Sequence, residues 1–253
     1  YSVSGLLTEK EPLVKIRPFR APHHTVSVQA LTGGGRRPKP GEISLATGGI
    51  LFLDELPEFS RAALETLRQP LEDREVTVSR VEATVTYPAN FQLVAAMNPC
   101  PCGHFQDLAR CRCTEGQITR YLQKISGPLL DRIDLCVEAS PVTYGDVRGG
   151  GENEASGAIR ARVEQAREIQ KERFMEENIR CNGEMAGRHI RKYCVLGKEE
   201  ETFEKLALSA RMHDRILKVA RTTADLAGES KIRLSDLCEA VSYVKSREKF
   251  WGN

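Results

Sequence analysis

An α/β core on a parallel sheet, followed by a helical lid, is the fold class this sequence predicts. Ile50-Leu51-Phe52-Leu53 is an unbroken apolar run that stops at Asp54-Glu55, the pattern of a short strand buried on both faces and ending in charge. Phe91 to Met97, apolar apart from Gln92, is a second candidate central strand, and it too ends in a polar residue, Asn98. Beyond residue 157 the apolar spacing turns helical, with Ile159, Val163, Ala166 and Ile169 on one face. In parallel α/β sheets ligands gather at the carboxyl ends of the strands, so Asp54, Glu55 and Asn98 are expected along one working edge.

Bulk composition sets wide bounds. With 253 residues, 40% of them hydrophobic, the chain can bury one large core or two smaller ones. A net charge of +2 leaves any nucleic-acid contact to local patches. No apolar stretch approaches the roughly 18–20 residues of a membrane span. Tyr1-Ser2-Val3 has no starting Met, so the chain reads as a piece of something longer. Eight cysteines and no secretory signal point to a reducing cytoplasm, where close cysteines more often bind metal than form disulfides.

Residues 1–47 are rich in turns. The stretch from Arg17 to Thr25 holds two prolines, two arginines and the pair His23-His24. The histidines are too close together to chelate one metal from a strand, and no carboxylate is near in sequence, so a structural or phosphate-contacting role is expected. Gly33 to Gly41 carries Arg36, Arg37 and Lys39 and reads as a flexible basic loop, either a solvated linker or a contact for a phosphate backbone. Glu42 to Ala46 is a short helix leading into the first apolar strand.

Asp54 and Glu55 follow that strand. An acid pair there suits phosphoryl chemistry: one carboxylate holds Mg²⁺ through its waters, and the next orients and deprotonates the attacking water. The plain alternative is a solvated turn with two surface acids. Ser60 is placed to cap a helix bearing Leu64, Leu67 and Leu71. The period then changes to two over Glu75–Ser79 and Ala83–Tyr87, a β-hairpin turning at Arg80 to Glu82 and ended by Pro88. The strand from Phe91 follows. An amide at Asn98 can hydrogen-bond both a terminal phosphate and a water without adding negative charge.

Cys100, Cys102, Cys111 and Cys113 form two Cys-x-Cys pairs. Four thiols so arranged can close a tetrahedral Zn²⁺ site, with His104 able to replace one of them. A loop of reduced cysteines and a reversible redox pair are the other readings. Helix and turn run from Ile118 to Leu130, then Leu135 to Glu138 reads as a strand. Arg132, flanked by Asp131 and Asp134, is most simply a surface salt-bridge residue. Gly145 to Gly157 has the composition of a linker. Further helices are expected over Thr202–Ser209, Asp214–Leu226 and Ser235–Arg247, the last capped by Ser235 and packed through Leu237, Val241 and Val244.

Several of these segments, taken together, resemble one family. Gly48–Phe59 looks like a Walker B strand and Leu93–Asn98 like a sensor 1 strand of an AAA+ ATPase. The hairpin over 75–87 is similar to the presensor-1 insertion of the clade that holds Mg-chelatase ATPase subunits and MCM helicases. The words Arg-Pro-Phe-Arg-Ala-Pro-His-His-Thr, Pro-Gly-Glu-Ile-Ser-Leu-Ala, Phe-Leu-Asp-Glu-Leu-Pro-Glu-Phe and Asn-Pro-Cys-Pro-Cys-Gly resemble the bacterial Mg-chelatase-like proteins of the ComM/YifB family. The likeness covers nearly the whole chain.

That resemblance implies an AAA+ P-loop core over 1–144 and a helical lid over 145–253. It implies ATP and Mg²⁺ as cofactors, with Asp54 on the metal, Glu55 as general base and Asn98 sensing the terminal phosphate. Arg132 lies in the segment that resembles the arginine finger, reaching a neighbouring subunit's nucleotide. Arg211 lies in the segment that resembles the family's sensor 2 helix, with Arg215 the rival candidate. Gly-x-x-x-x-Gly-Lys-Ser/Thr does not occur in these residues; in the family that P-loop falls shortly before the position of Tyr1. The 253 residues alone are therefore expected not to turn over ATP.

The family further implies a homo-oligomeric ring, expected to be a hexamer, that moves on single-stranded or branched DNA as a branch-migration helicase in natural transformation. Arg36, Arg37 and Lys39 are assigned the bulk phosphate contacts, and Arg80 at the hairpin tip a pushing role. The alternatives are a chelatase-type motor for metal insertion into a porphyrin, and a non-catalytic scaffold module.

Overall fold

The computed structural model describes residues 7, 13–36, 38–79, 83–105, 107, 109–139, 154–197, 203 and 208–252. It divides into two compact units, Tyr1–Ile133 and Asp134–Asn253. The boundary expected near residue 144, most of the expected linker, and residues 202 and 204–207 of the expected helix before Ser209 fall outside the described residues.

In the first unit the elements in order are β1 (Phe19–Arg20), α1 (Val28–Thr32), β2 (Gly33–Gly34), β3 (Lys39–Pro40), α2 (Glu42–Leu45) and β4 (Ile50–Leu53). A single 3₁₀ turn (Leu56–Glu58) leads to α3 (Arg61–Glu65), α4 (Arg68–Asp73), β5 (Glu75–Ser79), β6 (Thr84–Pro88), β7 (Gln92–Ala95), α5 (Glu115–Leu122) and α6 (Gly127–Leu130). The sheet order is β1-β4-β7, with both pairings parallel. Leu51 stands opposite Leu93 and Leu53 opposite Ala95, so the two apolar runs end level with each other.

Leu51 and Leu53 are fully buried, and truncating either to Ala would cost about 2–5 kcal/mol. The expectation of two strands buried on both faces is corrected. Ile50 and Phe52 are half-buried, and Phe52 stacks on Phe19 at 6.1 Å between ring centroids. β7 lies at the edge of the described sheet rather than at its centre, with Leu93 half-buried and Gln92, Val94 and Ala95 exposed. Entry into β4 requires Gly49, because a Cβ there would sit 1.9 Å from the Pro18 carbonyl oxygen.

Side-chain caps set most helix starts in this unit. Ser27 Oγ accepts from the Ala30 amide and Ser60 Oγ from the Ala63 amide. Thr114 and Gln117 form a reciprocal capping box at the head of α5. The expected hairpin is present as β5 paired with β6, and it includes Pro88, opposite Glu75, rather than ending before it. Pro88 is tolerated there because it closes the last pair of the ladder. The basic segment is not a linker: β2 and β3 pair as a small antiparallel hairpin.

The second unit holds α7 (Ser156–Arg173), a 3₁₀ turn (Asn182–Glu184), α8 (Gly187–Tyr193), α9 (Ala210–Leu226), α10 (Leu234–Lys245) and α11 (Glu248–Trp251). Its core gathers Phe174, Met185, Ile190, Ile216, Leu217, Leu237 and Val244. Beside that core, Asp225 is fully buried and takes hydrogen bonds from Arg173, Arg221 and Asn182. Burial pulls the Arg221 guanidinium below its ordinary value, against the attraction of Asp225.

Three expectations are corrected in this unit. On α7 only Ala166 and Gln170 are buried, while Ile159 and Val163 at its amino-terminal half are exposed. The cap of α10 is not Ser235. The helix begins one residue earlier, and the Asp236 carboxylate accepts the Arg233 amide at 2.8 Å. Residues 135–138 form no strand; the Cys136 amide instead donates to the carbonyl of Tyr243, one of the last-turn carbonyls that α10 cannot satisfy itself.

Candidate active site

The carboxyl ends of β4 and β7 are tied together beyond the strands. The Ala96 amide donates to the Leu53 carbonyl at 2.9 Å, and the Leu56 amide to the Ala96 carbonyl at 3.0 Å. These two bonds bracket Asp54-Glu55 on one side and lead to Asn98 on the other, so the expected acid pair and amide occupy neighbouring strand ends.

Glu55 holds a left-handed backbone, φ 53° and ψ 47°, at the head of the 3₁₀ turn. A non-glycine residue there costs of order 1–3 kcal/mol. Part of that cost is offset locally: Asp54 Oδ1 accepts the Glu55 amide at 2.9 Å, and the Glu58 amide donates to the Glu55 carbonyl at 2.7 Å. The result is a sharp stop to the strand with both carboxylates exposed. Accessible, adjacent carboxylate oxygens are the hard donors that Mg²⁺ takes, so Asp54 and Glu55 fit the ion.

Sequence reasoning missed the partner of Glu55. His24 Nδ1 lies 3.2 Å from Glu55 Oε2, so a carboxylate does stand beside the histidine pair. The His24 ring packs on His23 at 4.0 Å and meets the edge of Phe59 at 6.4 Å, while His23 Nδ1 bonds Thr25 Oγ1 at 2.9 Å. The only signal in sequence was two histidines just after a segment that pairs with β4.

Asn98 is exposed, and its amide faces the cysteine loop: a Cβ on Gly103 would be 3.7 Å from Asn98 Nδ2. Gly103 has φ 77°, a conformation that favours glycine. The four cysteines converge, with all Sγ atoms within 4.8 Å of one another. Cys100 and Cys102 are 3.4 Å apart, Cys102 and Cys111 3.6 Å, and Cys100 and Cys111 3.9 Å.

Tetrahedral Zn²⁺ with bonds of about 2.3 Å would hold its sulfurs about 3.8 Å apart, so the cluster fits the ion. In the thiol form, the His104 amide and Cys100 draw Cys102 down to about 6, and the bond to Cys102 pushes Cys113 up to about 12. His104 serves through its backbone, and its ring is not among the converging ligands. Tyr121 lies against the same region, its hydroxyl pushed up by burial and then by the charges of Glu58, Cys100 and Glu55.

Arg132 is not a free surface residue. It pairs with Glu72, donates to the Pro128 carbonyl at 2.6 Å, and has a buried Nε without a hydrogen-bond partner. Arg211 is exposed in the first turn of α9, whereas Arg215 is buried and lies 3.4 Å from Asp134.

Arg36 and Lys39 are exposed on the β2–β3 hairpin; Arg37 and Arg80 lie outside the described residues. Tyr87 Oη donates to the Pro38 carbonyl at 2.7 Å, which joins that small hairpin to the β5–β6 hairpin. Among the described residues no helix is long and apolar enough to cross a membrane.

Residues 1–147 match the family described as magnesium chelatase, subunit ChlI, and residues 153–244 match the ChlI C-terminal family. The chain is 49% identical over 235 residues to competence protein ComM of Haemophilus influenzae, which covers 90% of this chain and 45% of that protein. It is 48% identical over 233 residues to the uncharacterized protein YifB of Escherichia coli, covering 90% and 45%. An uncharacterized protein of Mycobacterium tuberculosis is 41% identical over 249 residues, covering 96% and 49%. The chain spans about half the length of the curated relatives it matches.

Proposed function

This chain belongs to the magnesium chelatase family of AAA+ proteins, and on that premise we propose that it is the ATP-hydrolysing module of a ring-forming motor that works on DNA. The observation that carries the chemistry is the register of β4 and β7, which end level and set Asp54, Glu55 and Asn98 on adjacent strand ends.

Asp54 is assigned to hold Mg²⁺, which when bound neutralises charge on the phosphates. Glu55 orients the attacking water and takes its proton. Asn98 donates its amide to the terminal phosphate and aligns the same water, adding no charge. Arg211 serves its own subunit's phosphates. Arg132 serves a neighbour's, and to do so it exchanges Glu72 for phosphate oxygens, which a guanidinium binds bidentately as it does a carboxylate. The subunits form a ring, of six copies.

A P-loop is not among the 253 residues, so these residues alone are assigned no ATP turnover; steady phosphate release from the purified chain would overturn that. The four cysteines are assigned a structural Zn²⁺. The setting is the cytoplasm, where thiols stay reduced.

DNA is the assigned track, and branch migration in transformation and recombination the assigned task. The name competence protein, carried by one relative, favours this over porphyrin metallation. The deciding experiment compares branched-DNA unwinding with metal insertion into porphyrin, using a protein that carries these residues together with a P-loop. ATP-dependent unwinding supports the proposal; metallation without unwinding rejects it.

A further inference from the structure

The four-cysteine cluster lies against the candidate catalytic edge, not apart from it. Asn98-Pro99-Cys100-Pro101-Cys102 joins the Asn98 amide to the first two thiols. Proline fixes its own φ and confines the residue before it to extended backbone. Residues 98 to 101 are therefore each restricted, and the segment behaves as a short stiff arm. Cys100 anchors that arm with no exposed surface. The chain then folds back: the Gly103 amide donates to the Cys100 carbonyl at 3.2 Å, and the left-handed Gly103 brings the loop against the Asn98 amide.

We propose that the metal centre formed by Cys100, Cys102, Cys111 and Cys113 is a positioning device for Asn98, holding its amide where a terminal phosphate is met. This rests on the zinc reading given above. Neither Asn98 nor the strand end fixes the amide alone, because Asn98 is exposed and lies beyond the last ladder pair of β7. With four thiolates on one ion, Cys100 and Cys102 are joined to Cys111 and Cys113, which lead directly into the Thr114-capped helix α5. Asn98 is then held from two sides, by β7 before it and by α5 through the metal after it. Loss of the metal frees the far side. The nucleotide edge thereby becomes sensitive to zinc supply and to thiol oxidation.

The test uses the ¹⁵N-labelled chain, with metal content measured by elemental analysis. The side-chain amide signals of Asn98 are assigned by their loss in Asn98→Asp. Zn²⁺ is then exchanged for Cd²⁺, which keeps the four thiolates but lengthens each bond. The Asn98 pair is expected to shift by more than its line width, while that of Asn182, in the other unit, stays in place. Gly103→Ala, which retains every ligand, is expected to keep the metal and still move the Asn98 pair. A chain that takes up no metal overturns the zinc reading and this proposal with it. One equivalent of metal, with Asn98 signals unmoved by both changes, overturns the positioning role alone.

Discussion

His24 Nδ1 stands 3.2 Å from Glu55 Oε2, at the residue whose backbone is left-handed. The carboxylate proposed to take a proton from water is thus held on the side of β1, by an imidazole that is itself packed on His23 and Phe59. A carboxylate on a long side chain loses rotamer freedom through such a contact, and catalysis depends on that pre-organisation. On the proposed assignment of Glu55 as the base, His24 is placed to position it.

His24→Ala should slow ATP turnover in a protein that also carries a P-loop, by less than the about 10² expected for loss of the base itself. ATP binding should be unchanged. A loss as large as that of Glu55→Gln, measured side by side, would make His24 the base and Glu55 its orienting partner.

Cys111→Ser combined with Cys113→Ser should lower the zinc content of the purified chain from near one equivalent and lower its melting temperature. Binding free energy at a structural site is also folding free energy. A well-folded, metal-free preparation made without chelators would reject the zinc assignment.

Asp225→Ala should destabilise the helical unit by about 3–5 kcal/mol, because two guanidiniums would be left buried without their shared carboxylate. Urea unfolding followed by helical circular dichroism measures it. A change near zero would mean that Arg173 and Arg221 find water or other partners at no cost.

Replacing Arg36, Arg37 and Lys39 with alanine should weaken DNA binding and flatten its salt dependence, by a slope of about 0.9 for each phosphate no longer neutralised. Arg80→Ala should impair unwinding with affinity kept. The reverse pattern would contradict this division of labour, and no effect of either on DNA would favour a chelatase-type motor. The Tyr87–Pro38 hydrogen bond links the two hairpins in whose sequence these residues fall.

The strand ends, the long hairpin and the cysteine cluster are legible in the sequence. The apolar runs and their polar ends are local patterns, and so are the two-residue period of the hairpin and the spacing of the cysteines. What could not be read depends on chain segments meeting from afar. β1 is only two residues long in a proline-rich stretch, so nothing local marks it as a sheet member that brings His24 to Glu55. The partner of Arg132 is Glu72 on α4, not either neighbouring aspartate, since the turn after α6 aims the side chain back across the unit. Residues 135–138 have strand-like composition, yet their ordering comes from a helix carbonyl, which no periodicity reports. Ser235 is a good cap by residue type, but the helix already runs through it, its start fixed by the Asp236 carboxylate reaching back to the Arg233 amide.

The central claim, that the acid pair at the end of β4 hydrolyses ATP, is tested most directly by Glu55→Gln in a protein that carries these residues with a P-loop. The substitution keeps size and hydrogen bonding and removes the base. The account predicts intact ATP binding and ring assembly, with steady-state phosphate release reduced by about 10² or more. Release within a few-fold of the unsubstituted protein would contradict it.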